Sequence, residues 1–421
     1  MLAATLMTVL VMKNIFPLFA VLIIWTATSC STNNKSKFNL PAEFDEQEYI
    51  WLSWVESGFL GGDPFYFTAL KAMKEITPEV KVRLFYGPQL SYNKEQMESR
   101  IYQKLLENNI DTSRVTLFYN EKGYGAIQDP GPIFLSNGKG EFAIADFKFI
   151  HPDKSSEAID RNVAAKLNLP TISSNMISEG GAWQTNGKGT LLLVEAVELD
   201  RNKTMSKTQI EDEYKRVLGV TKIIWLKKGM KEEEWGKLNN GKYGIGTGGH
   251  IDEFCRFVNP TTVLLAEVNP ADTAGNEISK ESYHRMEENY QILKQSSTQD
   301  GKPFEIIRLP AGPLMTKKLF FRNLNKDEQS WFDNVTTDSV EFYLATGYMN
   351  FVIANKKVVT AKFWKEGLSD DFKKIDEKAK QVLEKAFPDR KVVQIDCMPL
   401  HHDGAGLHCH SRNQPKIKIS K

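Results

Sequence analysis

The sequence predicts an α/β protein, a five-bladed propeller of ββαβ units set with pseudo-five-fold symmetry around a central site. Three observations predict it. A hairpin repeats: Pro132–Ser136, Asn137-Gly138-Lys139-Gly140 and Glu141–Phe147 are echoed by Ala182–Thr185, Asn186-Gly187-Lys188-Gly189 and Thr190–Val194. Asn-Gly between β-rich runs is a strong hairpin signal, because both residues accept positive φ. Each hairpin is followed by a helical pattern and one more strand. The two chain ends carry complementary fragments of a further unit, and propeller-like repeats close their ring by joining the termini in this way.

The elements follow in chain order. Tyr49–Trp54, a helix near 64–75 and Lys81–Tyr86 lack one strand, which Gly406–Arg412 supplies from the other end. A helix at 91–107 and a strand Arg114–Tyr119 read as an insertion. In the first whole unit the Asn137 hairpin precedes a helix over Ser156–Asn168, with Ile159, Val163, Ala164 and Leu167 at helical spacing, and the strand Thr171–Ser173. In the second, the Asn186 hairpin precedes Ser206–Leu218 and Lys222–Leu226. A third unit has a hairpin at 250–267 turning at Asn259-Pro260-Thr261-Thr262, a helix near 279–295 and Phe304–Leu309. A fourth turns at Asn355-Lys356-Lys357, with a helix Asp370–Phe387 and the strand Lys391–Ile395.

Length alone, 421 residues, suggests two or three domains at ~150 residues each. The repeat instead predicts one domain over 41–416, followed by a tail, 417–421. A composition of 41% hydrophobic and 25% charged residues excludes a disordered chain and a disulfide-dense mini-protein. Net charge is +1, and no basic run stands out, so no nucleic-acid partner is expected. Residues 1–29 read as an export leader: Lys13, the apolar run Ile15–Trp25, then Thr26-Ala27-Thr28-Ser29 before Cys30. The run is far short of the ~20 residues of a membrane span. The ending resembles a bacterial lipoprotein processing site, so Cys30 is expected to carry lipid, with residues 30–40 a polar tether. The expected location is the bacterial cell envelope, with the membrane contacted through that anchor; plain secretion is the alternative.

Polar residues gather at the start of each unit: Gln128-Asp129-Pro130-Gly131, Glu179-Gly180-Gly181, Gly249-His250-Ile251-Asp252, Tyr348-Met349-Asn350 and Gly406-Leu407-His408-Cys409. Equivalent ends of repeats converge on a ring's axis, so Asp129, Glu179, His250, Asp252, Asn350 and Cys409 are expected at one pocket. Read as strand residues, His250 and Asp252 face together, while Ile251, Glu253 and Cys255 face away. By the same alternation His408 and His410 point opposite to Cys409. A thiol beside an imidazole supports nucleophilic attack. Several carboxylates in one pocket favour a cation with a planar fork of N–H donors, and a guanidinium answers that description. Cys255 and Cys397 read as core. His401, His402, Asp403, His408 and His410 lack the paired spacings of structural zinc sites, so no metal is expected.

These motifs, with Pro41-Ala42-Glu43-Phe44, Arg256-Phe257 and Phe387-Pro388-Asp389-Arg390, resemble the agmatine deiminase and bacterial-type peptidylarginine deiminase family. The resemblance runs from Pro41 to Pro415 and implies the pentein fold of guanidino-group-modifying enzymes. By resemblance, Cys409 is a nucleophile forming a thiouronium, His250 is the general acid–base, and Asp129 and Asp252 grip the guanidinium. Glu179, Asn350, Trp183 and Gly406 are the expected substrate contacts. The implied reaction hydrolyses a guanidino group to a ureido group and ammonia, with no cofactor. The implied partner is a small guanidino compound or an arginine-containing peptide. Amidino transfer and a non-catalytic guanidine-binding lipoprotein are the alternatives. Gln128 and Gly248 stand where agmatine deiminases usually have Arg and Asp. Lys148–Lys154 lacks the arginines that peptidylarginine deiminases use, which leaves the substrate open among agmatine, arginine and peptidyl arginine.

Overall fold

The repeated turns are built alike, atom for atom. In the computed structural model, Asn137 Oδ1 accepts from the backbone N–H of Lys139 and Glu141 at 2.9 and 3.1 Å. Asn186 Oδ1 accepts from Lys188 and Thr190, both at 2.9 Å. Gly138 and Gly187 follow with φ of 69° and 65°, a backbone conformation that Gly adopts without Cβ strain. Asn259 Oδ1 repeats the device on Thr261 and Thr262. In the fourth unit Asn355 itself takes φ 50°. The structure describes residues 37–416, apart from 59, 61, 89–91, 122, 124, 151–157, 331, 333, 334 and 336. The leader, Cys30 and the 417–421 tail lie outside the described residues. Phe38 and Leu40, read as tether, are buried, and Asn39 bridges to Ser136.

Each turn joins an antiparallel strand pair, and a third strand runs parallel to the second. The first unit pairs Ile133–Ser136 with Phe142–Lys148, then Thr171–Ile177. The others are Trp183–Thr185, Thr190–Val194 and Lys222–Leu226; Cys255–Phe257, Thr262–Glu267 and Glu305–Pro310; Val352–Ala354, Lys357–Lys362 and Lys391–Asp396. The crossover helices are Ile159–Leu167, Lys207–Leu218, Glu277–Gln295 and Asp370–Ala386. Ser206 caps the second of these in a box with Gln209, and Gly219 ends it at φ 68°. Its buried face, Ile210, Tyr214, Val217 and Leu218, packs on Leu191 and Leu193. Met286 and Leu293 do the same on Val263 and Leu265 in the third unit.

The split unit closes through the termini. Ser411–Pro415 lies antiparallel to Gln47–Ser53, which is parallel to Lys81–Tyr86 and then Val115–Tyr119. The C-terminal strand therefore starts later than the expected Gly406, and Cys409 precedes it. A four-stranded sheet of Trp235–Lys237, Tyr243–Ile245, Ser339–Tyr343 and Thr316–Phe320 was not anticipated. It touches the loop before Cys409 at Gly404, whose φ is 70° and whose added Cβ would lie 2.0 Å from the Ile245 carbonyl oxygen.

Candidate active site

Hydrogen bonds pass around the ring from unit to unit and define its centre. Gln128 N donates to the Cys409 carbonyl at 2.9 Å, joining the split unit to the first. Gly181 N donates to Asp129 Oδ1 at 2.9 Å, joining first to second. Asp252 N donates to the Gly181 carbonyl at 3.3 Å. Asn350 Nδ2 donates to Asp252 Oδ2 at 3.3 Å, and Asn350 Oδ1 accepts from His408 N at 2.6 Å, returning to the split unit. The expected residues Asp129, Glu179, His250, Asp252, Asn350 and Cys409 therefore meet.

The glycines mark how closely they meet. A Cβ on Gly181 would lie 2.7 Å from His250 Nδ1, 3.0 Å from Asp129 Oδ1 and 3.1 Å from Asp252 Oδ2. Any side chain there would fill the place where these groups converge. A Cβ on Gly406 would lie 2.4 Å from Asn350 Oδ1, so glycine lets the Cys409 loop reach Asn350.

Cys409 Sγ accepts from Asn350 Nδ2 at 3.3 Å and lies 3.9 Å from Asp252 Oδ2 and 3.7 Å from Glu253 Oε1. Burial and the charges of Asp252, Glu253 and Asp129 push the thiol well above its ordinary range. His250 Nε2 is 2.8 Å from Glu179 Oε2, and its Nδ1 faces Asp129 Oδ1 at 3.7 Å. Burial opposes its charge, but Asp129, Glu179 and Asp252 prevail and raise it to about 9. Burial, Glu179 and Asp252 raise Asp129 to about 6 against the pull of His250. Burial works against Glu179's charge too, yet His250 and Arg201 hold it below the usual carboxylate range.

Alternation along a strand misdirected two residues. Ile251–Glu253 is a 3-10 turn, not a strand, so Glu253 faces Cys409 and accepts from Asn350 Nδ2 at 2.7 Å. His408 also precedes its strand. It turns inward, with Nδ1 2.7 Å from Asp252 Oδ2 and Nε2 3.0 Å from both oxygens of Glu43. Arg256 donates to Glu43 in turn. Arg201 was missed outright; its Nε lies 3.2 and 3.1 Å from the Glu179 oxygens. Trp183 is a correction of a different kind. It is buried in the core of the second unit with Leu191 and Leu193, beneath Arg412, because its strand turns that side chain to the core face. Cys255 and Cys397 are buried as expected.

Asp252, Glu253 and Cys409 place one donor atom each within 4.8 Å of one another, a set among the described residues suited to a cation. Asp252 Oδ1 is buried without a hydrogen-bond partner. A buried acceptor left unmade is costly, and guanidinium N–H groups are the donors that fit.

Over 406 residues the chain is 25% identical to an agmatine deiminase of Pseudomonas syringae, covering 91% of this chain and 97% of that one. It is 32% identical to an agmatine deiminase of Medicago truncatula over 253 residues, 59% of this chain and 60% of that one. The agmatine deiminase structure of Enterococcus faecalis superposes with a TM-score of 0.69 at 20% identity, over 90% of this chain and 96% of that one. Such folds are penteins, as the family resemblance implied. The family model of the Porphyromonas-type peptidyl-arginine deiminases matches residues 39–415. The chain therefore belongs to that family and is a guanidino deiminase, a hydrolase acting on C–N bonds.

Proposed function

We infer that the protein hydrolyses a guanidino compound through a covalent intermediate on Cys409. The observation that carries this reading is the thiol set within 4 Å of two carboxylates, one of which converges with the His250 imidazole beside Gly181. Without substrate, the thiol is neutral because acid groups surround it. A guanidinium beside Asp129 and Asp252 cancels their field, so the cation itself favours the thiolate. The thiolate adds to the guanidino carbon. His250 protonates one nitrogen, the C–N bond breaks, and ammonia leaves a positively charged thiouronium. Water then adds to that carbon, His250 takes its proton, and the C–S bond breaks to give the ureido product and the thiolate. The one remaining proton converts ammonia to ammonium.

The substrate class is agmatine, free arginine or an arginine residue of a peptide. The leader and Cys30 support an exported, lipid-anchored enzyme that meets guanidines outside the cytoplasm. The test measures ammonia and ureido product from agmatine, arginine, a peptide ending in arginine and one with internal arginine. Activity on one of them, lost in Cys409→Ser, is the expected result. Equal activity in the variant would refute the intermediate. A Cys30→Ala protein that still fractionates with membranes would refute the anchor.

A further inference from the structure

The two oxygens of Glu253 have different surroundings. Oε1 faces Cys409 and Asn350. Oε2 is buried without a partner, and so is Glu233 Oε2; the two residues are only 5% and 4% exposed. Both residues line a cavity of about 10 Å³, together with Glu232 and Gly347. That volume holds one water-sized particle. A Cβ on Gly347 would stand 3.1 Å from Glu253 Oε2, so this oxygen borders the cavity wall. Glu232, Met230, Pro310, Ala311 and Gly312 also line a cleft of about 730 Å³, and Asn269, Pro270, Asp272 and Ala274 are exposed along it. Cys409, Glu253, the small cavity, Glu232 and the cleft thus follow one another outward, each sharing a contact or a lining residue with the next.

Among the described residues, no Lys or Arg lines the small cavity. A water-sized space walled by carboxyls, with the unused oxygen of Glu253 at its wall, suits a small monovalent cation. Deimination makes one. Ammonia is released while the rest of the substrate is still bonded to Cys409 and fills the way it entered, so the nitrogen needs a second way out.

We propose that Glu253, Glu233 and Glu232 form a route by which the nitrogen released at Cys409 leaves as ammonium for the outer cleft. This rests on the deiminase reading above. Ammonia takes its fourth proton from the carboxyl of Glu253 or Glu233. The ion then moves past the carboxylate, which regains a proton from the one freed when water cleaves the thiouronium. Burial and mutual repulsion raise both carboxyls above their ordinary range, which favours the protonated form that gives ammonia its proton.

Thallium(I), a stand-in for ammonium, tests the site without reference to turnover. Crystals soaked in thallium acetate should show the ion between Glu233 and Glu253, and Glu233→Gln should lose it. An empty cavity in the wild type overturns the proposal. Turnover tests the route. Ammonium labelled with nitrogen-15 should exchange into unreacted substrate by reversal of thiouronium formation. Ala311→Leu, at the junction of cavity and cleft, and Glu233→Gln, which keeps the side chain's shape, should each lower exchange and kcat by at least about threefold with KM unchanged. Exchange and kcat unchanged in both variants would overturn the route. A wild type that deiminates no guanidine would overturn the functional reading instead, and the thallium result would still decide the cation site.

Discussion

Two histidines at the centre are held by the same kind of chain. His250 Nε2 meets Glu179, which Arg201 grips; His408 Nε2 meets Glu43, which Arg256 grips. What differs is the other ring nitrogen. His408 Nδ1 is committed to Asp252 at 2.7 Å, whereas His250 Nδ1 stands 3.7 Å from Asp129, beside the space that Gly181 leaves open. One imidazole spends both nitrogens on carboxylates and orients Asp252. The other keeps one for a substrate. In the proposed mechanism, similar partners thus give a positioning residue and a proton donor, and one ångström at Nδ1 separates the two.

The largest effect should fall on that distinction. His250→Asn removes the proton donor and should cost about 10²–10⁴-fold in kcat. His408→Asn keeps a donor toward Asp252 and should cost only about tenfold, mostly in KM. Steady-state kinetics of both variants on one substrate would check this. Equal losses in kcat would erase the difference drawn here.

The arginines should separate in stability. Arg256 is 2% exposed at its side chain and also donates to the backbone of Met349 and Phe351. Arg256→Met strands Glu43 beside the core and should cost about 3–5 kcal/mol. Arg201 is 18% exposed, so water can replace part of its role, and Arg201→Met should cost about 1 kcal/mol. Urea unfolding midpoints at neutral pH measure both. A larger loss for Arg201 would place the tighter relay on the wrong side.

This pairing shows what the sequence could and could not convey. The hairpins and crossover helices were legible because their signals are local: an Asn-Gly turn, a capping serine, an apolar face. The residues that meet at the axis were legible because each unit repeats its polar end. Orientation was not. Alternation assigns faces only where the backbone is extended, and both Ile251–Glu253 and the residues before Ser411 are turned. Hence Glu253 and His408 were sent the wrong way. Glu43 lies in a stretch that carried the resemblance without an assigned role, and Arg201 acts from the end of a helix with no local mark of a site. The additional sheet escaped because it joins Tyr243 to Phe342, a long-range pairing that neither the three-residue nor the five-residue strand announces by itself.

The subtlest effect lies in pH dependence. His250 must be protonated to donate, so activity falls as pH rises through about 9. Asp129 must be ionised to hold a guanidinium, so activity falls as pH drops through about 6. The profile of kcat/KM is thus a bell between these limits. Glu179 helps raise His250, so Glu179→Gln lowers that value and should move the alkaline limb down by about one unit. Glu43 acts on His408 rather than on His250, so Glu43→Gln should leave the limb in place while lowering the whole curve. A limb that moved with Glu43 and not with Glu179 would show that His408 carries the proton, and would exchange the roles of the two relays.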